Sequence, residues 1–425
     1  MGRAGDGSTL NLDFTAMGGV LDPRITFSRA DATARATFIN SLGYVETVPA
    51  GQPQAPRFTF SETSIGTPRG LLLEAPTTNH QLSSEAFATN LGYTDGDIIS
   101  PRTTGTSPSN GTAVGFYPTV AAGYHRLQYS AGVTLSGAVT VSMWFKRLNS
   151  NYRAGINATS FMSASVIVDL NGSGSIITLG GSAANRAATI TRYQNDWYRV
   201  ALTGTFVAGT SMYFFMDSSI STDSGGGSFT GVASQGMLMW GGQIELGSQA
   251  SSYIATTNIA VTRAVDTAII AAGSNFSSWY TGGTTGTFVT EWCRCSPTTT
   301  QRTVIATSDV SNQHLHQYIA ATTSRLRLAD KVPAFIETAN ASVDNSINKG
   351  AFSYSGSVQS LCLNGGTVVP GTLTFTTAPT WLSIGGPSTN GTSITDTAVV
   401  LNNAIRKIKY FPTRLSDGQI QGLTT

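Results

Sequence analysis

Two pairs of metal-type ligands stand out in this chain. Cys293 and Cys295 lie two apart in TGTFVTEWCRC, and His314 and His316 lie two apart in QHLHQY. Residues two apart on a strand share a face. Adjacent strands carrying C-x-C and H-x-H would therefore present four ligands, enough for tetrahedral zinc. The usual zinc spacings are C-x2–4-C and H-x3–5-H, and free cysteine behaves as a small buried hydrophobe, so no metal is assigned. Asp217 and Asp223 bracket a Ser/Gly loop with the oxygen donors calcium takes. No regular D-x-D-x-D loop accompanies them, which favours a solvated turn. Glu245 and Glu291 fall in strand-like runs, where a sandwich glycosidase holds its two carboxylates, but no acidic cluster surrounds either. The histidines His80, His125, His314 and His316 have no G-x-S-x-G or similar nucleophile setting. The expectation is a protein that is not an enzyme and carries no cofactor.

Aromatic rings offer a different chemistry, because sugars stack their C–H faces on exposed rings. Trp144 falls on the polar face of VTVSMWFKR, and Trp197 opens WYRVALTGTF opposite its apolar face. Trp279 and Tyr280 lie in the Ser/Gly-rich SNFSSWYTGG, and Tyr93, Tyr117 and Tyr124 fall between strand-like runs. Any single ring of this kind often packs against a covering loop or a neighbouring subunit. As a set these seven are the carbohydrate-binding candidates, with one exposed platform expected among them.

The elements that must position these residues are strands. Helical periodicity is nearly absent, and alternation dominates. In VTVSMWFKR, Val139, Val141, Met143 and Phe145 face one way; in WYRVALTGTF, Tyr198, Val200, Leu202 and Phe206 share a face. SMYFFMD and MLMWGGQIEL follow, separated by Gly/Ser turns. After Asp266 a second group alternates in the same way, with Leu326 and Leu328 expected inside and Arg325 and Arg327 outside. Ser416 and Gln419 form a capping box that predicts one short helix near the end. The run MLMWGGQIEL breaks alternation at Gly241-Gly242, so a bulge is expected there, returning Ile244 and Leu246 to the inner face. Together these patterns predict an all-β chain with two antiparallel β-sandwich or jelly-roll domains. An extended N-terminal arm (1–80) precedes a jelly roll (81–265) and a second sandwich (266–425).

Composition sharpens the class. The chain has 425 residues, of which 40% are hydrophobic and only 11% charged, with 46 glycines and a net charge of +2. Ample apolar content with low charge argues for order, and charge is well below the ~25% of ordinary domains. The first lysine is Lys146 and no Lys/Arg run occurs, which speaks against nucleic-acid binding through a clustered basic face. The opening MGRAGDGSTLNLDF lacks an apolar signal region, and no run of 18 apolar residues suits a membrane span. Synthesis and folding in a cytoplasm are expected, in keeping with three cysteines that cannot form a disulfide framework.

Several motifs resemble virion proteins of tailed bacteriophages. FSRADATARATFINSLG, PRFTFSE and PRGLLLEAPTTNHQLSSEAF resemble an N-terminal pattern of that group, with Thr77 standing where an Arg is usual. VTVSMWFKR, NDWYRVALTGTF and MLMWGGQIELGSQASSYIATT, followed by VTRAVD, resemble a phage jelly-roll module similar to carbohydrate-binding modules. SLCLNGG and IRKIKYFPTRLSDGQIQGLT resemble a concanavalin-like lectin/glucanase (LamG-type) sandwich. The resemblance implies a fibre, spike or head-decoration protein displayed on the virion surface after assembly in the host cytoplasm. It implies attachment to other virion proteins through the arm, a homo-oligomer with a trimer favoured, and binding to a host surface glycan, without nucleic acid or membrane insertion. A purely structural role is the alternative, and a glycan depolymerase ranks below both.

Overall fold

The computed structural model describes residues 6–16, 18–33, 35–99, 102–149, 153–217, 228–293, 300–308, 313–321, 323–329, 335–343, 346–373 and 377–425. Its first strands are short: β1 (Leu10–Asp13), β2 (Ile25–Ser28), β3 (Arg57–Phe60) and β4 (Pro68–Leu73). Of these only β3 and β4 pair with each other; β1, β2 and β4 pair with strands from the other end of the chain.

The middle of the chain is a two-sheet sandwich. Its central strands are β5 (Tyr93–Gly96), β6 (Arg126–Ser130), β7 (Ala138–Leu148), β8 (Arg153–Ala158), β9 (Ala187–Arg192), β10 (Tyr198–Thr205), β11 (Ser211–Asp217) and β12 (Gly236–Leu246). One sheet runs β9-β10-β7-β12 and continues through Thr112–Phe116 and Thr103–Thr106. The other runs from Ser175–Gly181 and Ala164–Asp169 into β8-β11-β6-β5. The expected alternation holds. Val139, Val141, Met143 and Phe145 from β7 and Tyr198, Val200 and Leu202 from β10 all enter the core between the sheets, with Phe206 packed against it.

The bulge in β12 forms where the glycines predict it. Ser142 pairs with Gln243 and Trp144 pairs with Trp240, so Met143 alone faces Gly241 and Gly242. Gly241 has φ +69, a conformation that side chains disfavour, and a Cβ there would meet the Trp144 ring at 2.7 Å. Met237 and Met239 before the bulge and Ile244 after it reach the same core. Leu246 is returned to the same face, opposite the core residue Val139, but as the last residue of the strand it is 53% exposed.

The C-terminal sandwich is built from both ends of the chain. One sheet runs Val369–Gly371, Val358–Leu363, Ile347–Ser355, β13 (Thr285–Cys293), β14 (Asn403–Phe411), β4 and β3, with β1 also paired to β14. The facing sheet begins with β2 and continues through Thr267–Ile270, Trp381–Ile384, Arg302–Ser308, Gln313–Ile319, Arg325–Ala329 and Phe335–Ala341. Leu10, Leu12, Ile25, Leu71 and Leu73 thus share one core with Phe288, Trp292, Leu326, Leu328 and Ile408. The N-terminal segment (1–80) is therefore not a detached arm. Its strands are too short to bury a face alone, and they do so by completing a sheet already present. Gly70 permits this close fit: its φ is +117 and a Cβ would lie 2.1 Å from the Ile405 carbonyl on β14. The capping box also forms, with Ser416 and Gln419 opening the helix Asp417–Leu423.

Candidate functional site

The motif residues converge on the junction between the two sandwiches. Arg29 donates from Nη1 to Asp266 at 2.8 Å and from Nε to Asp31 at 3.1 Å. Arg57 joins Glu74 at 2.6 Å through one Nη and Asp266 through the other. Arg263 meets the same Glu74 at 3.0 Å and donates to the Ser252 hydroxyl at 2.8 Å. Three cations and three acids, all nearly inaccessible to water, cancel one another in one network. Burial alone would raise the Glu74 carboxyl, but Arg263 and Arg57 outweigh it and hold it at about 2. Charges this dry persist only when opposed by one another, although Arg57 Nε and Arg263 Nε have no acceptor among the described residues; the members come from the N-terminal segment, the tail of the jelly roll and the entry to the last sandwich.

A second buried cluster ties the end of β12 to the same place. Asn79 donates to the carbonyls of Gly242 at 3.0 Å and Ile254 at 2.8 Å, and accepts from Ile244 N–H at 3.0 Å. Gln243 donates to Glu245 at 2.7 Å and accepts from Ile254 N–H at 2.8 Å. Glu245 also accepts from Ser251 N–H at 3.0 Å. Gln243 and Glu245 thus hold the chain after Gly247 against the sheet. Burial pushes the Glu245 carboxyl up, only partly offset by Gln243, Arg199 and Ser251. A carboxyl raised by folding is destabilising above its ordinary value, and the effect fades as pH falls through that value. Glu245→Gln, which keeps both acceptor contacts, is expected to raise the urea midpoint at pH 7 and to leave it nearly unchanged at pH 4. A larger loss at pH 7 than at pH 4 would count against this account.

Beside the junction lies a cleft of ≈ 750 Å³, within the ~300–1,000 Å³ range of small-ligand sites. One wall is the outer face of β9, β10 and β7, carrying Thr189, Thr191, Arg199, Ala201, Thr203 and Trp144. The opposite wall comes from the N-terminal segment, with Phe38, Thr63 and Arg69, and the rim from Ser248–Tyr253. Its carboxylates are matched: Arg69 pairs with Glu62 at 2.7 Å, Arg192 with Asp196 at 2.6 Å, and Glu74 lies in the buried network, whereas Arg199 has no carboxylate partner among the described residues. Arg199 stacks over the Trp144 ring at 4.2 Å and donates to Ser251 O at 2.7 Å. Trp144 Nε1 and Arg199 Nε are buried donors without a hydrogen-bond partner. Tyr193 also lines the cleft, and burial pushes its phenol up to about 12, so it stays protonated as a donor.

Five of the seven candidate rings are buried, and each has an evident reason. Trp144 and Trp197 lie on the outer face of their sheet, but Ile39 and Val45 of the N-terminal segment cover that face, with Tyr193, Trp240 and Tyr253 packed alongside. Trp279 and Tyr280 do not sit in a linker. A helical turn at Ser274–Ser277 swings them into the last core, where Tyr280 stacks on Tyr410 at 4.8 Å and bonds the Tyr354 hydroxyl at 2.7 Å. Tyr93 is in strand β5 with its hydroxyl donating to Leu82 O at 2.9 Å. Tyr117 is half-buried, and Tyr124 alone of the set is well exposed, at 47%.

The other candidates are engaged or separated. Glu291 accepts from Arg406 Nε at 2.6 Å. Cys293 lies on β13 in one sheet, whereas His316 lies on Gln313–Ile319 in the facing sheet, so C-x-C and H-x-H are not on adjacent strands. His316 Nε2 is 2.9 Å from the Thr303 hydroxyl, and burial pulls the imidazole down to about 4. Cys295, Asp223 and the His314 side chain lie outside the described residues; among those described, no group of three or more His, Cys, Asp or Glu is arranged for a metal. Of the cleft residues only Trp144 was singled out from sequence, because the outer face of β10 reads as polar alternation and its covering wall comes from distant residues. The junction did carry a signal: in a chain with 11% charged residues, every charge of its network falls in the conspicuous motifs FSRAD, PRF, LLLE and TRAVD.

No protein-family model matches the chain, and no curated protein matches it. Solved structures with partial likeness include the CBM40 domain of a Ruminococcus gnavus sialidase bound to α2,6-sialyllactose, at 16% identity and TM-score 0.28, covering 34% of this chain and 84% of that one. Domain 4 of a GH43 arabinanase from Geobacillus stearothermophilus with arabinotriose is 13% identical at TM-score 0.29, over 42% of this chain and 82% of that one. A Trypanosoma rangeli sialidase with sialic acid is 10% identical at TM-score 0.29, over 78% of this chain and 62% of that one. Identities and scores at this level carry no inference about ligand or activity.

Proposed function

We propose that this chain is a glycan-binding protein of a tailed-bacteriophage virion surface, and that the cleft beside the junction takes an uncharged saccharide. The observation that carries the glycan reading is the lining of the cleft. It combines threonine and serine hydroxyls with aromatic edges, while its carboxylates are already paired with arginines. A neutral polyhydroxylated ligand can use such donors and acceptors without leaving a buried charge unpaired. Binding without cleavage is proposed because Glu245 and Glu291 are both committed to structural partners. Placement on a virion, attachment to other virion proteins through the N-terminal segment, and a homotrimer rest on the motif resemblance alone.

The test is a glycan array on the full chain, followed by calorimetry on any hit. Ala201 is 7% exposed on the floor of the cleft, and Ala201→Trp is expected to fill it and weaken a neutral ligand at least about tenfold. Unchanged affinity in a variant with the wild-type urea midpoint would refute the cleft. Imaging of particles would separately test the virion placement. One observation favours the second reading, a purely structural fibre or decoration protein: the motif residues are spent on joining the two sandwiches. On that reading the array is silent while the chain still assembles onto particles.

A further inference from the structure

A second surface has a different chemistry from the cleft. It is the outer face of the sheet β8-β11-β6-β5, on the side of the jelly roll away from its core. Strand register aligns Thr94, Gln128, Tyr213 and Asn157 in one row across it, and Gly96, Arg126, Phe215 and Gly155 in the next. Arg126 is half-buried and held between two phenol rings, with its Cζ 4.1 Å from the Tyr213 centroid and 5.3 Å from that of Tyr124.

The guanidinium has no carboxylate partner among the described residues. The neighbouring acids are otherwise engaged: Asp95 pairs with Arg102, and Asp97 accepts from Tyr124 N–H at 3.0 Å. Arg35, Arg147, Arg186 and Arg199 also lack an acid among those residues but donate to carbonyl or amide oxygens, whereas the Arg126 guanidinium makes no hydrogen bond to any described residue. Contact with two rings restricts the guanidinium, and none of its nitrogens is among the buried unpartnered atoms, so its planar fork of donors is open to bidentate contact with an oxyanion. Tyr124, 47% exposed, offers a ring beside it, and the half-buried amides of Gln128 and Asn157 follow in the next row.

We infer that this face binds an oxyanion-bearing saccharide, with the carboxylate or sulfate on Arg126 and the sugar ring against Tyr124. The anion contact stands independently of the cleft; the sugar part rests on the reading of the chain as a glycan binder.

The test measures binding of the full chain to uronate oligosaccharides, their methyl esters, sulfated oligosaccharides and inorganic phosphate, at low and high salt. Expected are binding of the uronate or the sulfated sugar, weakening with salt, and loss of binding to the ester. Arg126→Gln is expected to reduce affinity roughly 10- to 100-fold, as for a lost charge-assisted contact. Arg126→Lys is expected to recover only part of it, and Tyr124→Ala to weaken the sugars but not phosphate. Which anionic sugar responds identifies the group recognised. The inference is overturned if Arg126→Gln, folded by circular dichroism, binds as wild type, or if ester and acid bind equally. It is also overturned if no acidic sugar binds with a Kd below about 1 mM, or if phosphate alone binds as tightly as the sugars. Ala201→Trp separates the two sites: it should leave acidic-sugar binding intact whatever becomes of neutral binding in the cleft.

Discussion

A chain beginning at residue 81 is expected to lose its C-terminal sandwich, not merely a flexible extension. Leu10, Leu12, Phe14, Ile25, Leu71 and Leu73 are all buried in the core of that sandwich. Fully burying side chains of this size contributes roughly 1.5–3 kcal/mol each. The six together amount to something on the order of 10 kcal/mol, comparable to the whole stability of a typical domain. The truncation also strips β1 and β4 from β14 and β2 from Thr267–Ile270, leaving long unpaired edges that favour aggregation. The full chain and the truncation should be compared by near-ultraviolet circular dichroism and size-exclusion chromatography. The truncation should be insoluble, or soluble with the near-ultraviolet signal of Trp279, Trp292 and Trp381 lost. A monodisperse product with an intact signal would restore the view of the N-terminal segment as an arm and would contradict the shared core.

The contrast shows what the sequence makes legible. The faces of β7 and β10, the bulge at Gly241-Gly242 and the capping box at Ser416 depend on residues near one another in the chain, and each was readable from local pattern. The role of the N-terminal segment was not, because a strand as short as Leu10–Asp13 looks the same whether its partner is adjacent or, like β14, near the other end of the chain. The same limit explains the aromatics. Trp144 lies on the face opposite the core, as its alternation says, but alternation cannot reveal that Ile39 and Val45 cover it. Arg126 was passed over for a related reason: close to Tyr124 in the chain but on a different strand from Tyr213, it acquires meaning only through register. The charged motifs were recognised as a pattern without their physical purpose, which is to meet in one buried network.

That network yields the second large effect. Asp266 holds Arg29 through one oxygen and Arg57 through the other, and the second oxygen also accepts from Glu74 N–H at 2.9 Å. Asp266→Ala leaves two arginines buried with too little opposing charge, a defect that costs about 3–5 kcal/mol. Folded yield should drop sharply, and the apparent Tm of surviving protein should fall by several degrees or more. The loss comes from stranded charge, not from missing attraction, so removing the charges together should cost less than removing one. A variant combining Asp266→Leu with Arg57→Met leaves Arg29 paired with Asp31 and Arg263 with Glu74, and is expected to be more stable than Asp266→Ala, even though it lacks more ion pairs. Acid titration checks the same network from the other side. Glu74 is held at about 2 against its ordinary 4.5, so its contribution is complete above pH 4.5 and is lost as pH falls towards 2. Glu74→Gln should therefore flatten the decline in urea midpoint between pH 4.5 and 2, while lowering the midpoint at pH 7. If Asp266→Ala is as stable as wild type, or if Glu74→Gln leaves the acid limb unchanged, the junction is held by strand pairing and apolar packing, and the motif charges have another task.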